Sequence, residues 1–145
     1  MTSSDVLEVS VHIEAAPETV FGFFTDPTRY TKWMGSEATI EAVPGGLYRV
    51  HMRDGVEAVG QFVEVDPPKR VVFTWGWHGD EVVGPGSTRV EIILSPVGDS
   101  TDVVLRHFGL PGAEQIEHHR QGWELYLGRL AAAAAGVDPG PDPNA

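Results

Sequence analysis

The chain is 145 residues long, 41% hydrophobic and 9% aromatic, enough to bury roughly two-thirds of its unfolded surface in one domain. It contains no cysteine, which excludes disulfides, thiolate metal sites and cysteine nucleophiles. Its formal net charge of -11 is scattered along the sequence and repels phosphate backbones and anionic membranes, so no nucleic-acid partner is expected.

No run of about 18 apolar residues is present, and the opening MTSSDVLEV lacks the basic start and apolar stretch of a secretory signal. The expectation is a soluble, cytoplasmic protein without membrane insertion.

From Asp5 to Glu14, apolar Val6, Val9, Val11 and Ile13 alternate with polar residues, which predicts a strand with one buried face. Pro17 suits a first helical position, Glu18 complements the helix dipole, and Val20, Phe21 and Phe24 fall on one face of a short helix. Asp26-Pro27 ends it, and Thr28 to Lys32 form a second brief turn that delivers Trp33 and Met34.

The period then changes to two. Six further strands are expected, roughly Glu37 to Val43, Leu47 to Met52, Glu57 to Val65, Arg70 to Trp77, Thr88 to Ser95 and Thr101 to Phe108, joined by turns rich in Gly, Pro and Asp. After Leu110-Pro111-Gly112 a helix runs to about Ala135, with Ile116, His119, Trp123, Leu127 and Leu130 on one stripe. Gly136 ends it. Val137 to Ala145 (VDPGPDPNA) is expected to be a disordered tail without core contacts, leaving 1–136 as the folded domain.

A helix with one apolar stripe must lie across the buried face of the sheet. The gap between a bent sheet and a straight helix is filled by side chains or by a ligand. Strand alternation points Tyr48, Val50 and Met52 inward from one strand, Val71, Phe73, Trp75 and Trp77 from another, and Val103, Leu105 and His107 from a third. The helix adds His119, Trp123 and Tyr126. With Trp33 and Met34, these residues make the expected ligand-binding lining: Trp33, Met34, Tyr48, Val50, Met52, Phe73, Trp75, Trp77, His107, His119, Trp123 and Tyr126.

His107 and His119 admit three readings: core histidines paired with polar neighbours, polar anchors for a ligand, or a general acid and base. Adjacent His118 and His119 point about 100 degrees apart on a helix, and no third ligand accompanies them, so no metal is expected. No GxGxxG, GxxxxGK[ST] or GxSxG motif occurs, and no cofactor is expected. Arg29, Lys32, Arg49, Arg53, Lys69 and Arg70 form no basic patch and read as solvated surface.

The order strand, two short helices, six strands and long helix resembles the helix-grip fold, an α+β architecture, of the START-like (SRPBCC, birch-pollen-allergen-like) superfamily. In particular it resembles the branch named after the C-terminal domain of the heat-shock-protein-90 ATPase activator. The segments that carry the resemblance are AAPETVFGFFTDPTRYTKWMG (Ala15 to Gly35), PGGLYRVHM (Pro44 to Met52), GQFVEVDPPKRVVFTW (Gly60 to Trp75), RHFGLPG (Arg106 to Gly112) and HRQGWELYLGRL (His119 to Leu130). The resemblance implies a curved seven-stranded antiparallel sheet wrapping the last helix, and a cavity for small hydrophobic molecules such as lipids, polyketides or aromatic metabolites. It does not imply a reaction, because the superfamily spans carriers, cyclases and hydrolases. Binding of an apolar ligand is the leading expectation. A His-dependent cyclase, dehydratase or hydrolase, and a chaperone or regulatory interaction module, are the alternatives, and a homodimer is left open.

Overall fold

The computed structural model describes residues 6–145. Seven strands form one sheet: β1 (Leu7–Ile13), β2 (Glu37–Ile40), β3 (Leu47–His51), β4 (Glu57–Asp66), β5 (Arg70–Trp75), β6 (Thr88–Val97) and β7 (Ser100–Phe108). The helices are α1 (Pro17–Thr25), α2 (Pro27–Tyr30) and α3 (Gly112–Ala134). The expected first strand began at Asp5, which lies outside the described residues.

The sheet order is β1-β7-β6-β5-β4-β3-β2, and every neighbouring pair is antiparallel. Alternation and the final amphipathic helix imply an antiparallel sheet covered by a helix, and the α+β helix-grip architecture implied by the resemblance is the one observed. Strand β1 joins the far edge by pairing with β7, with Leu7 opposite His107 and Ile13 opposite Thr101. The two short helices therefore span from one edge of the sheet to the other.

Asp26 organises that crossing: its backbone N–H closes α1 on Gly22 O, and its carboxylate accepts from Thr28 N at 2.9 Å to start α2. Val20, Phe21, Phe23 and Phe24 of α1 are buried. Trp33 follows α2, fully buried, with its indole N–H donated to Phe23 O at 3.0 Å. Satisfying that donor lets a tryptophan sit in the core without an orphaned polar group.

Two strands are shorter than their alternation suggests. Strand β2 stops at Ile40 because Val43 N turns back to Glu41 O at 2.7 Å, opening the loop before β3. Strand β5 stops at Trp75 because Gly76 lies against another backbone segment, where an added Cβ would stand 1.6 Å from Gly84 O. Trp77 keeps the inward parity but joins the sheet through an isolated bridge to Ala58, and its N–H bonds Val83 O, in the loop before β6, at 2.7 Å.

The outer face carries a row of charges. Arg70 pairs with Glu64 at 3.3 Å and Glu91 at 2.8 Å, and Arg106 pairs with Glu8 at 2.9 Å. Arg70, expected as solvated surface, is thus part of a cross-strand ion row. Val72 sits in register between Glu64 and Glu91 and is only 2% exposed on that outer face.

Gly136 is in the left-handed conformation at φ +86 and ends α3. Gly136 N bonds to Ala133 O at 3.1 Å and Val137 N to Ala132 O at 2.8 Å. This is a Schellman closure, which a residue with a Cβ would strain.

The segment that follows departs from expectation. Residues 137–145 form no helix or strand, yet they are held to the body. Arg129 is buried and donates to Pro139 O, Gly140 O and Pro141 O. Asp142 accepts from Gly35 N and from the Tyr126 hydroxyl, each at 2.8 Å.

Candidate functional site

A cleft of about 760 Å³ opens between the concave sheet and α3. Trp75, Trp77, Trp123, Tyr126, Met34 and Met52 form its apolar wall, while Arg53, Asp54, His78, Asp80, His118 and Gln121 supply polar groups. The period-two rule places Trp75 and Trp77 on the concave face, and the helical period places His119, Trp123 and Tyr126 opposite them. The indole of Trp75 is central: its ring lies 5.1 Å from that of Trp77 and 5.0 Å from that of Trp123.

Each histidine of the pair is locked in one neutral tautomer by an indole. Trp123 Nε1 can only donate, and it donates to His107 Nδ1 at 3.0 Å. The Thr88 hydroxyl gives its single proton to Trp75 O at 2.7 Å, so His107 Nε2 donates to Thr88 Oγ1 at 2.8 Å. His107 is fully buried, and burial, helped by the neighbouring His119, pulls its pKa down to about 3.

His119 has the opposite tautomer. Gln115 O can only accept, so Nδ1 carries the proton at 2.9 Å, and Nε2 accepts from Trp77 Nε1 at 3.3 Å. Burial lowers its pKa, against the opposing pull of the Gln115 carbonyl. Asp80, at the rim, is held below the usual carboxylate range by the backbone N–H groups of Val83 and Val82. A proton arriving on either histidine would displace an indole donor, so the pair serves first to hold Trp123 and Trp77 in place. Trp75 Nε1 is the indole donor of this trio without a partner.

The expected lining divides into two layers. Met34, Met52, Trp75, Trp77, His119, Trp123 and Tyr126 face the cleft. Trp33, Tyr48, Val50, Phe73 and His107 are instead buried behind that wall. Tyr48 stacks on Phe73 at 4.2 Å between ring centroids, and its hydroxyl bonds that of Tyr30. Burial raises the pKa of both phenols. Alternation reports which face a side chain takes; it does not report depth, and five of the twelve expected residues belong to the layer beneath.

Several residues of the site escaped the sequence reading. Thr88 has the inward parity of Val90, Ile92 and Leu94, so its place beside His107 was available from alternation. Arg129 is three residues beyond Tyr126 on α3 and shares its side of the helix, but its charge argued for solvent. Asn144 reaches the cleft from the C-terminal segment, and no periodicity marks it. Among the described residues, no group of three or more His, Asp or Glu is arranged to hold a metal ion. No helix among them is long and apolar enough to cross a membrane.

A seven-stranded antiparallel sheet gripping a long C-terminal helix over an aromatic cleft defines a START-like helix-grip protein. Residues 14–135 match the family described as Activator of Hsp90 ATPase homolog 1-like protein, and the chain belongs to that family. An AHSA1-like protein from Rhizobium etli is similar over 95% of this chain and 86% of its own, at 46% identity and a TM-score of 0.74. DynU16, from the dynemicin biosynthetic locus, is 28% identical with a TM-score of 0.79; the match covers 93% of this chain but 49% of DynU16, so this chain spans about half that protein's length. CalU16 from Micromonospora echinospora is 25% identical with a TM-score of 0.75, over 95% of this chain and 77% of its own. No curated protein matches the chain.

Proposed function

We propose that the protein binds a small, flat, hydrophobic molecule, such as an aromatic or polyketide-type metabolite, in the cleft between sheet and α3. The observation that carries this reading is the wall made by Trp75, Trp77 and Trp123 around about 760 Å³ of space. Pockets for small ligands are of this size, lined by aromatic groups with a few placed polar atoms. Burying roughly 300 Å² of apolar ligand surface at about 25 cal/mol per Å² supplies roughly 7 kcal/mol before association and ordering costs, so apolar burial alone sets a ceiling of roughly ten micromolar and tighter binding needs the polar contacts of the cleft.

One structural neighbour, DynU16, comes from the dynemicin biosynthetic locus, which lends weight to a small-metabolite ligand. The two histidines act here as acceptors that orient the indoles, and Asp80 and Gln121 offer polar contacts at the rim. The test is tryptophan emission during titration with the neutral fluorophore N-phenyl-1-naphthylamine. Saturable energy transfer from tryptophan to the probe is expected, and it should weaken in Trp77→Ala. Emission that no apolar compound perturbs would remove the reading.

A further inference from the structure

The C-terminal segment crosses the cleft mouth. Asn144 bonds both walls: its backbone O accepts from Arg53 N at 2.6 Å on the turn between β3 and β4, and its Nδ2 donates to the Tyr126 hydroxyl at 3.1 Å on α3. Arg53, Tyr126 and Asn144 all line the cleft. The Tyr126 hydroxyl donates in turn to Asp142 Oδ1, while Asp142 Oδ2 accepts from Gly35 N. Behind this, Arg129 donates from Nε to Trp33 O and from its terminal nitrogens to three consecutive carbonyls of the segment.

The segment adheres almost entirely through such bonds. Its one large apolar side chain, Val137, is 59% exposed. A stretch held by hydrogen bonds, each of modest net worth, opens far more readily than one anchored by buried apolar area. Both ends of the gap are therefore tied by something strong enough to define a shape and weak enough to release.

We propose that residues 137–145 form a clasp that closes one end of the ligand cleft, limits the length of ligand admitted, and opens for entry and release. The proposal rests on the ligand-binding reading above. Asp142 and Asn144 are its fastening residues, and Tyr126 is the point on the helix to which both attach.

The experiment compares the full chain with the double variant Asp142→Ala/Asn144→Ala and, separately, Tyr126→Phe, which removes only the two bonds on the helix side, from Tyr126 to Asp142 and from Asn144 to Tyr126, and keeps the ring. Stopped-flow release of N-phenyl-1-naphthylamine is measured beside amide exchange of Gly35 and Arg53, the two N–H groups the clasp covers. Release roughly tenfold faster in both variants, with faster exchange at Gly35 and Arg53, is expected from the loss of two or three such bonds. Accelerated exchange with an unchanged release rate would overturn the clasp while leaving ligand binding intact. Unaccelerated exchange would overturn it as well, since the fastening would then lie elsewhere. If the wild-type chain binds no probe, the ligand-binding reading fails and the clasp falls with it.

Discussion

The indole N–H of Trp123 ends on Nδ1 of His107, 3.0 Å away and out of contact with water. That bond ties the final helix to β7 at the floor of the cleft. It also fixes the histidine as neutral, because the nitrogen that would take a second proton already accepts one from the indole.

Stability should therefore fall with acid in a defined window. The pKa of His107 drops from its ordinary 6.5 to about 3 on folding, so below pH 6.5 the unfolded chain binds a proton that the folded chain refuses. Above that pH the group contributes no slope. Between pH 6.5 and 3 it costs up to about 1.4 kcal/mol per pH unit. His119 shifts in the same direction and steepens the trend. Urea unfolding at pH 7.5, 6, 5 and 4 should show the decline, shallower in His107→Gln, which does not titrate. An equal slope in that variant would show that the histidine is not held neutral.

Trp123 should be worth more as a donor than its area alone suggests. Trp123→Phe keeps an aromatic ring but leaves His107 Nδ1 buried without a partner, at a cost of about 1–3 kcal/mol. Trp123→Ala removes the ring too and, because the side chain borders the cleft, should cost about 3 kcal/mol, the low end for a buried aromatic. Chemical denaturation of the two variants separates the contributions.

Arg129 should resist its conservative replacement. The planar guanidinium donates to four carbonyls, those of Trp33, Pro139, Gly140 and Pro141, and a lysine cannot cover that arc. Arg129→Lys should lose about 1–3 kcal/mol, with proteolytic cleavage after residue 136 becoming rapid. Protection equal to wild type would mean that the segment is held without the guanidinium.

Gly76 should not tolerate a methyl group. An added Cβ would stand 1.6 Å from Gly84 O, a backbone atom that cannot swing aside. Gly76→Ala should therefore separate the loop between β5 and β6 from the strand and shift Trp77, and near-ultraviolet circular dichroism should report altered tryptophan packing. Gly79→Ala makes a useful contrast: open space surrounds that position, and only its φ of +77 is strained.

The fold was readable because two periods dominate the chain. The alternating burial of β3 and β7 and the three- and four-residue spacing of α3 each identify a buried face. The element ends were less readable: β5 keeps inward parity through Trp77, but the change of bonding partner at Gly76 leaves no mark on apolar pattern. Depth in the site was unreadable as well: five of the twelve expected residues lie beneath the wall, and Trp75 and Phe73 have the same parity and differ only in which layer they reach. The C-terminal segment was unreadable for a further reason. Its anchors are backbone carbonyls, which every residue owns, so VDPGPDPNA looks like a free tail until Arg129 is seen to reach them.

The central claim is that the space between sheet and helix is a ligand site walled by indoles. Four tryptophans give four separate indole N–H signals in a nitrogen-15 correlation spectrum, and titration with a neutral polycyclic aromatic compound reads each one. Signals of Trp75, Trp77 and Trp123 should move together and saturate, while that of Trp33, bonded to Phe23 O in the core, stays still. Four unmoved signals, or movement confined to Trp33, would contradict the account.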